Sequence, residues 1–454
     1  MNLPPATRTT LTLFAAAASL SLAPGSQAQS ADALIDKLLD KGILTLEEAN
    51  ELREETDKNF TTAYQVKSGM PEWVTSLKIN GDLRGRFEGF YSDNPSFVDR
   101  NRFRYRLRLG VTAVMKDQLE VGLRLGSGDL EGIRELRTGT DPISSNQSFQ
   151  NNASKKGVFL DLAYAKWAPL NTPDWSGSLA LGKIENPFIF SDSVFDRDYT
   201  PEGAALGLTH TFNEQHALAL IAGGYVLDEI SADSDDPHLV GAQLRWNAAW
   251  SPKLATTAGV AGLVIGGKEN LKNSDVPNIN AGNTRTPLPE GALVYHYNPV
   301  VADAAVTYTL PHFPFHNAPF PIQLSGDYIY NPGAPDRNQA YSVGVSFGKS
   351  GKRGLWDVSY RYKYLEGDAW YEEFVDSDFG AYYAAAAEGM GFSGYGAGTN
   401  TKGHVAKAAY SPHDAVTLTL TAIITELIDL PAVSAGTDPD SQMIRIQADA
   451  AFKF

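Results

Sequence analysis

The chain has 454 residues, no cysteine and a formal net charge of −15. Its length suits one large barrel or two to three smaller domains, and its acidity argues against a nucleic-acid partner. The missing cysteine excludes disulfides, thiolate metal sites and cysteine nucleophiles. The 41 glycines, 20 tyrosines and 21 phenylalanines favour strands and turns over helices.

The first residues read as a secretory signal peptide. Arg8 supplies a positive start, Leu11 to Ala23 an apolar core, and Ser26-Gln27-Ala28 a small-x-small end, which places cleavage after Ala28. The apolar core is too short to span a bilayer, and no later run approaches the roughly 20 residues of a spanning helix. A membrane location for the mature chain would therefore need a barrel. Between Ser30 and Asn59 the pattern is helical. Leu34, Ile35, Leu38 and Leu39 share one face, Gly42 sits at a helix end, and Thr45 with Glu48 forms a capping box opening a second helix. This segment is too small to bury a core alone.

From Trp73 onward the period changes to two. In LKINGDLRGRFEGFY, Leu77, Ile79, Leu83, Phe87 and Tyr91 lie on one face, with Lys78, Asp82, Arg84, Arg86 and Glu88 on the other. In NRFRYRLRLGVTAVM, Phe103, Tyr105, Leu107, Leu109, Val111 and Met115 oppose Arg102, Arg104, Arg106 and Arg108. Arg124 continues the polar face in QLEVGLRL. Further alternating stretches bring the strand count to about sixteen, an even number as bacterial single-chain barrels require. The last stretch alternates Ile444, Ile446, Ala448, Ala450, Phe452 and Phe454 with Arg445, Gln447, Asp449, Ala451 and Lys453. Connections alternate too: short ones such as MKDQ, NEQ and SPHD interleave with longer ones around Asp93, Asn151, Asp192, Asp233, Asn278, Pro335, Tyr382 and Gly436. A soluble sandwich has no reason to keep that parity or to place charges where its core should be.

The expected fold is all-β: a transmembrane antiparallel β-barrel of about sixteen strands after a short α-helical periplasmic segment. The expected boundaries are 1–28 for the signal peptide, 29–70 for the helical segment and 71–454 for the barrel. A barrel this wide leaves a water-filled lumen lined by the polar face. Trp73, Trp246, Tyr360, Tyr362 and Tyr364 suit interfacial aromatic girdles.

TLEEANELRE, RNRFRYRLRLGVTA, ENPFIFSDSVFDRDYTPEGAALGL, and DSDFGAYY followed by TNTKGH give nearly the whole mature chain a resemblance to the porins of diderm bacteria that carry a helical segment before the barrel. The resemblance implies a passive outer-membrane channel, commonly a homotrimer, set among outer-membrane lipid and lipopolysaccharide. It also implies that barrel-assembly machinery reads the terminal strand through Phe452 and Phe454. Its third external loop, with Asp192, Asp196 and Asp198, would fold into the channel, so that arginines face acids across a constriction.

The residues themselves mark Arg84, Arg86, Arg102, Arg104, Arg106, Arg108 and Arg124 as a cationic column on the lumen face, with Asp82 and Glu88 beside it. Guanidinium forks suit phosphate and carboxylate, and charged rings bias which ions pass. The expected function is passive diffusion of small hydrophilic solutes and ions. The alternatives are an anion- or phosphate-selective channel and a structural protein tethering the membrane to the cell wall. Acidic loops such as SADSDDP and GTDPD lack the spacing of a dedicated calcium site. No catalytic centre is expected. Gly344-Val345-Ser346-Phe347-Gly348 lies inside a strand rather than at a strand–helix elbow, and prolines keep His312 and His316 off a helix. No cofactor or metal is expected.

Overall fold

The computed structural model describes residues 38–39, 45, 48–50, 71–128, 143–231, 234–273, 276, 281–287, 290–383, 394–430 and 440–454. The chain divides into two units, Met1–Glu72 and Trp73–Phe454. In the first, the capping box forms: Thr45 N and Oγ1 each donate to Glu48 Oε2 at 2.8 Å, and Glu48 N donates to Thr45 Oγ1 at 3.3 Å. The signal peptide and most of the Ser30–Asn59 segment lie outside the described residues.

In the second unit sixteen antiparallel strands close into a barrel. They are β1 (Val74–Tyr91), β2 (Arg100–Met115), β3 (Leu119–Gly128), β4 (Gly157–Asn171), β5 (Trp175–Lys183), β6 (Glu202–Asn213), β7 (His216–Val226), β8 (His238–Ala249), β9 (Leu254–Gly266), β10 (Val300–Leu310), β11 (Phe320–Tyr330), β12 (Gln339–Gly348), β13 (Trp356–Leu365), β14 (Thr401–His413), β15 (Val416–Leu427) and β16 (Met443–Lys453). Each pairs with its sequence neighbours, and β16 pairs with β1 from Asp82↔Lys453 to Tyr91↔Ile444. Gly81 N donates to Phe454 O at 2.9 Å and Phe454 N to Gly81 O at 3.1 Å, so the final residue is part of the closing ladder. Closure satisfies the edge groups that an open sheet would leave bare.

The side-chain period of two gives the wall its polarity. Leu83, Phe103, Leu107, Val240, Leu244 and Val264 are exposed on the outside, whereas Arg86, Glu88, Arg106, Gln243, Arg245 and Lys363 are buried inside. That is the reverse of a water-soluble protein and matches a wall bathed in hydrocarbon. Short connections (116–118, 172–174, 214–215, 250–253, 311–319, 349–355, 414–415) lie at one end with the chain's closing ladder. The longer ones leave the opposite end.

The interior differs from an open water-filled lumen. Inward-facing residues near the long-connection ends of β7 to β13 are apolar: Tyr225, Leu239, Leu263, Ile265, Val301, Ile329, Ala340 and Leu365. Three long connections fold in against them, contributing Phe188, Val194, Phe195 and Tyr199, then Leu271, Leu293 and Tyr297, then Trp370, Tyr371, Phe374 and Val375. The physical reason is burial of large side chains that water would otherwise meet, each worth about 1.5–3 kcal/mol. A polar hub locks this plug. Glu372 accepts hydrogen bonds from Asn283 N at 2.8 Å, Ala281 N at 3.2 Å and Arg285 Nε at 2.7 Å, and the Arg285 and Glu372 side chains are both fully buried. Asn283 Nδ2 donates to the carbonyls of Gly367 and Trp370, and Asp368 accepts from Thr284 and Tyr297.

Candidate functional site inside the barrel

The charged wall spans β16, β1 and β2. Register sets Asp82 opposite Arg108 and Glu88 opposite Arg102, but it also sets Arg84 opposite Arg106 and Arg86 opposite Arg104. Like charges facing each other across a ladder repel, so the surface needs acids from elsewhere. The neighbouring strand supplies Asp449, which receives Arg86 Nε at 2.7 Å and Nη2 at 2.9 Å. Glu88 is fully buried; it receives Arg102 Nε at 2.5 Å, Gln447 Nε2 at 3.0 Å and both Nε and Nη2 of Arg445. Asp82 receives Arg108 Nε at 2.7 Å and Arg106 Nη2 at 3.2 Å. Arg124 stands below the column, opposite Gly110, bonded to Asp161 and Glu185.

The remaining acids come from two turns of the same shape. Residues 191–199 and 371–379 follow the same succession of turns and bends. Both read apolar–apolar–Asp–x–Asp–aromatic: Val194-Phe195-Asp196-Arg197-Asp198-Tyr199 and Phe374-Val375-Asp376-Ser377-Asp378-Phe379. In each the first aspartate accepts the amide of the second, Asp198 N to Asp196 Oδ1 and Asp378 N to Asp376 Oδ1, both at 2.9 Å. This local bond is why Asp-x-Asp suits a tight turn. The turns bind one another through Asp196 N to Phe374 O at 2.6 Å, Asp376 N to Asp192 O at 3.0 Å and Ser377 N to Asp196 Oδ2 at 2.9 Å. The second aspartate of each turn then meets the arginine wall. Asp198 receives Arg106 at 2.6 Å and Arg108 at 3.1 Å; Asp378 receives Arg86 at 3.0 Å and Arg445 at 2.6 Å.

Between the turns sit Asp192, Asp196, Asp376 and the fully buried Lys363, whose Nζ is 2.6 Å from both Asp192 Oδ1 and Asp376 Oδ2. Burial and the neighbouring Asp376 carboxylate raise Asp196 to about 7, and burial raises Asp376 as well despite Lys363. An acid whose pKa is higher in the docked turns than the free value of 3.8 holds its proton more tightly there. Docking therefore strengthens as pH falls through about 7 and weakens as pH rises through it. Amide exchange in residues 191–199 and 371–379 should be slower, relative to the intrinsic rate, at pH 5 than at pH 8, and Asp196→Asn should flatten the dependence by removing the titrating charge. Wild-type protection indifferent to pH would show that the turns stay docked when Asp196 ionises.

The structure thus gathers Asp82, Arg84, Arg86, Glu88, Arg102, Arg104, Arg106, Arg108 and Asp198 into one interior surface. Two readings of the third loop are corrected. Asp198 does not face arginines across a gap but touches them, and Asp192 and Asp196 address Lys363 and the second turn instead, because the turn points only its last aspartate at the wall. The sequence put Arg445 and Asp449 on the polar face of the last strand without joining them to the column, and it missed Lys363 and the docking of the second turn; the repeated Asp-x-Asp-aromatic string was the available signal. Phe452 and Phe454 lie exposed on the outer face, as do Trp73, Trp246 and Tyr360. Tyr360 OH pairs with His404 Nδ1 at 2.7 Å. Ser346 lies within β12, and the His316 ring meets the carbonyls of Ala318 and Lys349.

Residues 92–264 match the model of a family described as "Putative porin". No curated protein matches the chain. Among solved structures, a high-pH structure of OprB from Pseudomonas putida aligns over 88% of this chain and 97% of its own, at 10% identity and a TM-score of 0.49. OmpF of Salmonella typhi in complex with daunomycin aligns over 83% and 97%, at 10% identity and 0.44. A loop-deletion form of OmpT from Vibrio cholerae aligns over 84% and 99%, at 9% identity and 0.43.

Proposed function

We propose that the chain is an outer-membrane porin through which small hydrophilic solutes and ions diffuse passively. The observation that carries this reading is the inverted polarity of a closed wall: Leu83, Phe103 and Leu107 outside, Arg86, Glu88 and Arg106 inside. Such a wall is stable only with hydrocarbon around it and polar matter within. The porin-family match over residues 92–264 supports it. In this reading the arginine wall and the two acid turns line the narrowest part of the path. Residues 1–28 direct export, 29–70 stand in the periplasm, and 71–454 form the channel. Assembly as a homotrimer, contact with lipopolysaccharide, and recognition of Phe452 and Phe454 by barrel-assembly machinery belong to the same proposal.

The test is conductance of the purified, folded protein in a planar bilayer. Stepwise openings that persist at low voltage are expected. A folded barrel, verified by its β-sheet circular dichroism, that gives no openings at any voltage or pH would overturn the reading.

A further inference from the structure

The arginine wall is not neutral, and its excess has an address. Among the described residues around β16, β1 and β2, seven guanidiniums (Arg84, Arg86, Arg102, Arg104, Arg106, Arg108, Arg445) meet five carboxylates (Asp82, Glu88, Asp198, Asp378, Asp449), an excess of two positive charges. Five of the arginines hydrogen-bond a carboxylate. Among the described residues, Arg84 and Arg104 hydrogen-bond none. Arg84 donates from Nη2 to Asn146 Oδ1 at 2.7 Å. Arg104 donates from Nη2 to Asn146 O at 3.3 Å and Ser144 Oγ at 3.5 Å, and its closest described carboxylate is Glu88 at 3.8 Å, already engaged by Arg102 and Arg445.

The two guanidiniums are diagonal neighbours across the β1–β2 ladder, since Arg84 lies opposite Arg106 and Arg104 opposite Arg86. Diagonal side chains of this length reach one another. Both converge on one residue, Asn146, which is buried. The Nε donors of Arg84, Arg104 and the adjacent Arg106 are buried and have no acceptor among the described residues. Unsatisfied buried donors are uncommon and point to a missing acceptor, and uncompensated buried charge is costly. Two cations that converge on one residue can share an anion, and a guanidinium fork matches the spacing of two oxygens on one oxyanion.

We infer that Arg84 and Arg104, steadied by Asn146, form a discrete binding station for an oxyanion of the phosphate or sulfate kind on the inner wall. This rests on the channel reading, but it is narrower than a cationic column. Most of the column is silenced by acids; one pair is free to bind.

Inorganic phosphate is the probe. With potassium chloride on both sides of a bilayer holding the full-length protein, added phosphate should reduce or interrupt the chloride current at a saturable half-blocking concentration. Arg84→Gln and Arg104→Gln should each raise that concentration about tenfold or more, the loss expected for one charge-assisted contact. Arg104→Lys should recover part of the effect, because charge returns without the fork. Lys352→Gln, an exposed position in the 349–355 turn, should block like wild type. Should Arg84→Gln fail to fold, Arg104→Gln and Asn146→Ala carry the same test. Phosphate block unchanged in Arg104→Gln and Asn146→Ala, in channels that still open, overturns the station and leaves the porin reading intact. Absence of openings overturns the porin reading instead; phosphate binding to the detergent-solubilised barrel by calorimetry, lost in Arg104→Gln, would then still uphold the station.

Discussion

Glu372→Ala should open the barrel. Conductance is expected to rise several-fold, and the urea midpoint of the folded barrel to fall by an amount equivalent to about 3–5 kcal/mol, the cost of leaving one member of a buried ion pair unpaired. Arg285 would keep its charge in a fully buried site, and the amides of Ala281 and Asn283 would lose their acceptor. Because Glu372 ties residues 281–285 to the connection that carries the second acid turn, the plug should loosen where it meets the wall. The double variant Arg285→Met/Glu372→Met separates the two effects. It removes both charges while keeping bulk, so most of the lost stability should return. Lost stability with unchanged conductance in Glu372→Ala would mean that the plug does not limit the bore.

Asp198→Asn with Asp378→Asn should turn the channel strongly towards anions. Each aspartate serves two arginines, and removing both raises the local excess from two positive charges to four. The reversal potential in a salt gradient should move to the anion side, with a several-fold rise in the chloride-to-potassium permeability ratio. The shift should shrink as ionic strength rises, since salt screens charges a Debye length of about 10 Å apart at 0.1 M. Acid should not reproduce the effect at Asp378: burial would raise its pKa, but Arg445 and Arg86 overcome that and hold it well below the usual carboxylate range. Its contribution is present above the free carboxylate pKa and is lost only as pH falls through the much lower docked value. A double variant with wild-type selectivity would show that ions take a path away from the turns.

The wall was legible in the sequence because its period of two is a local property. Arg102, Arg104, Arg106 and Arg108 stand at alternate positions, so a strand must put all four on one side. Parity of short and long connections gave the ends. What fills the barrel was not legible. In HLVGAQLRW the period of two puts Leu239 on the face of Gln243 and Arg245 and Val240 on the other, but only the folded connections bury that inward leucine. Charge pairing was half legible: Asp82 and Glu88 are register neighbours of arginines, whereas Asp378 meets Arg86 across 292 residues of sequence. Such long-range partners leave no periodic trace. The repeated Asp-x-Asp-aromatic string was the one local hint, and it names the turns without saying where they dock.

The charged wall straddles the seam where β1 meets β16, the two ends of the barrel. Its members are therefore far apart along the chain: Arg86 and Glu88 meet Asp449, Gln447 and Arg445 across more than three hundred residues. A slip of one residue at that seam would turn Arg445 and Asp449 outward. A charged side chain on the lipid face costs up to about 2–4 kcal/mol at the bilayer midplane and less toward either rim. The same charges that would govern traffic in the finished pore would thus also disfavour a mis-zipped cylinder, because a shifted register trades their ion pairs for hydrocarbon.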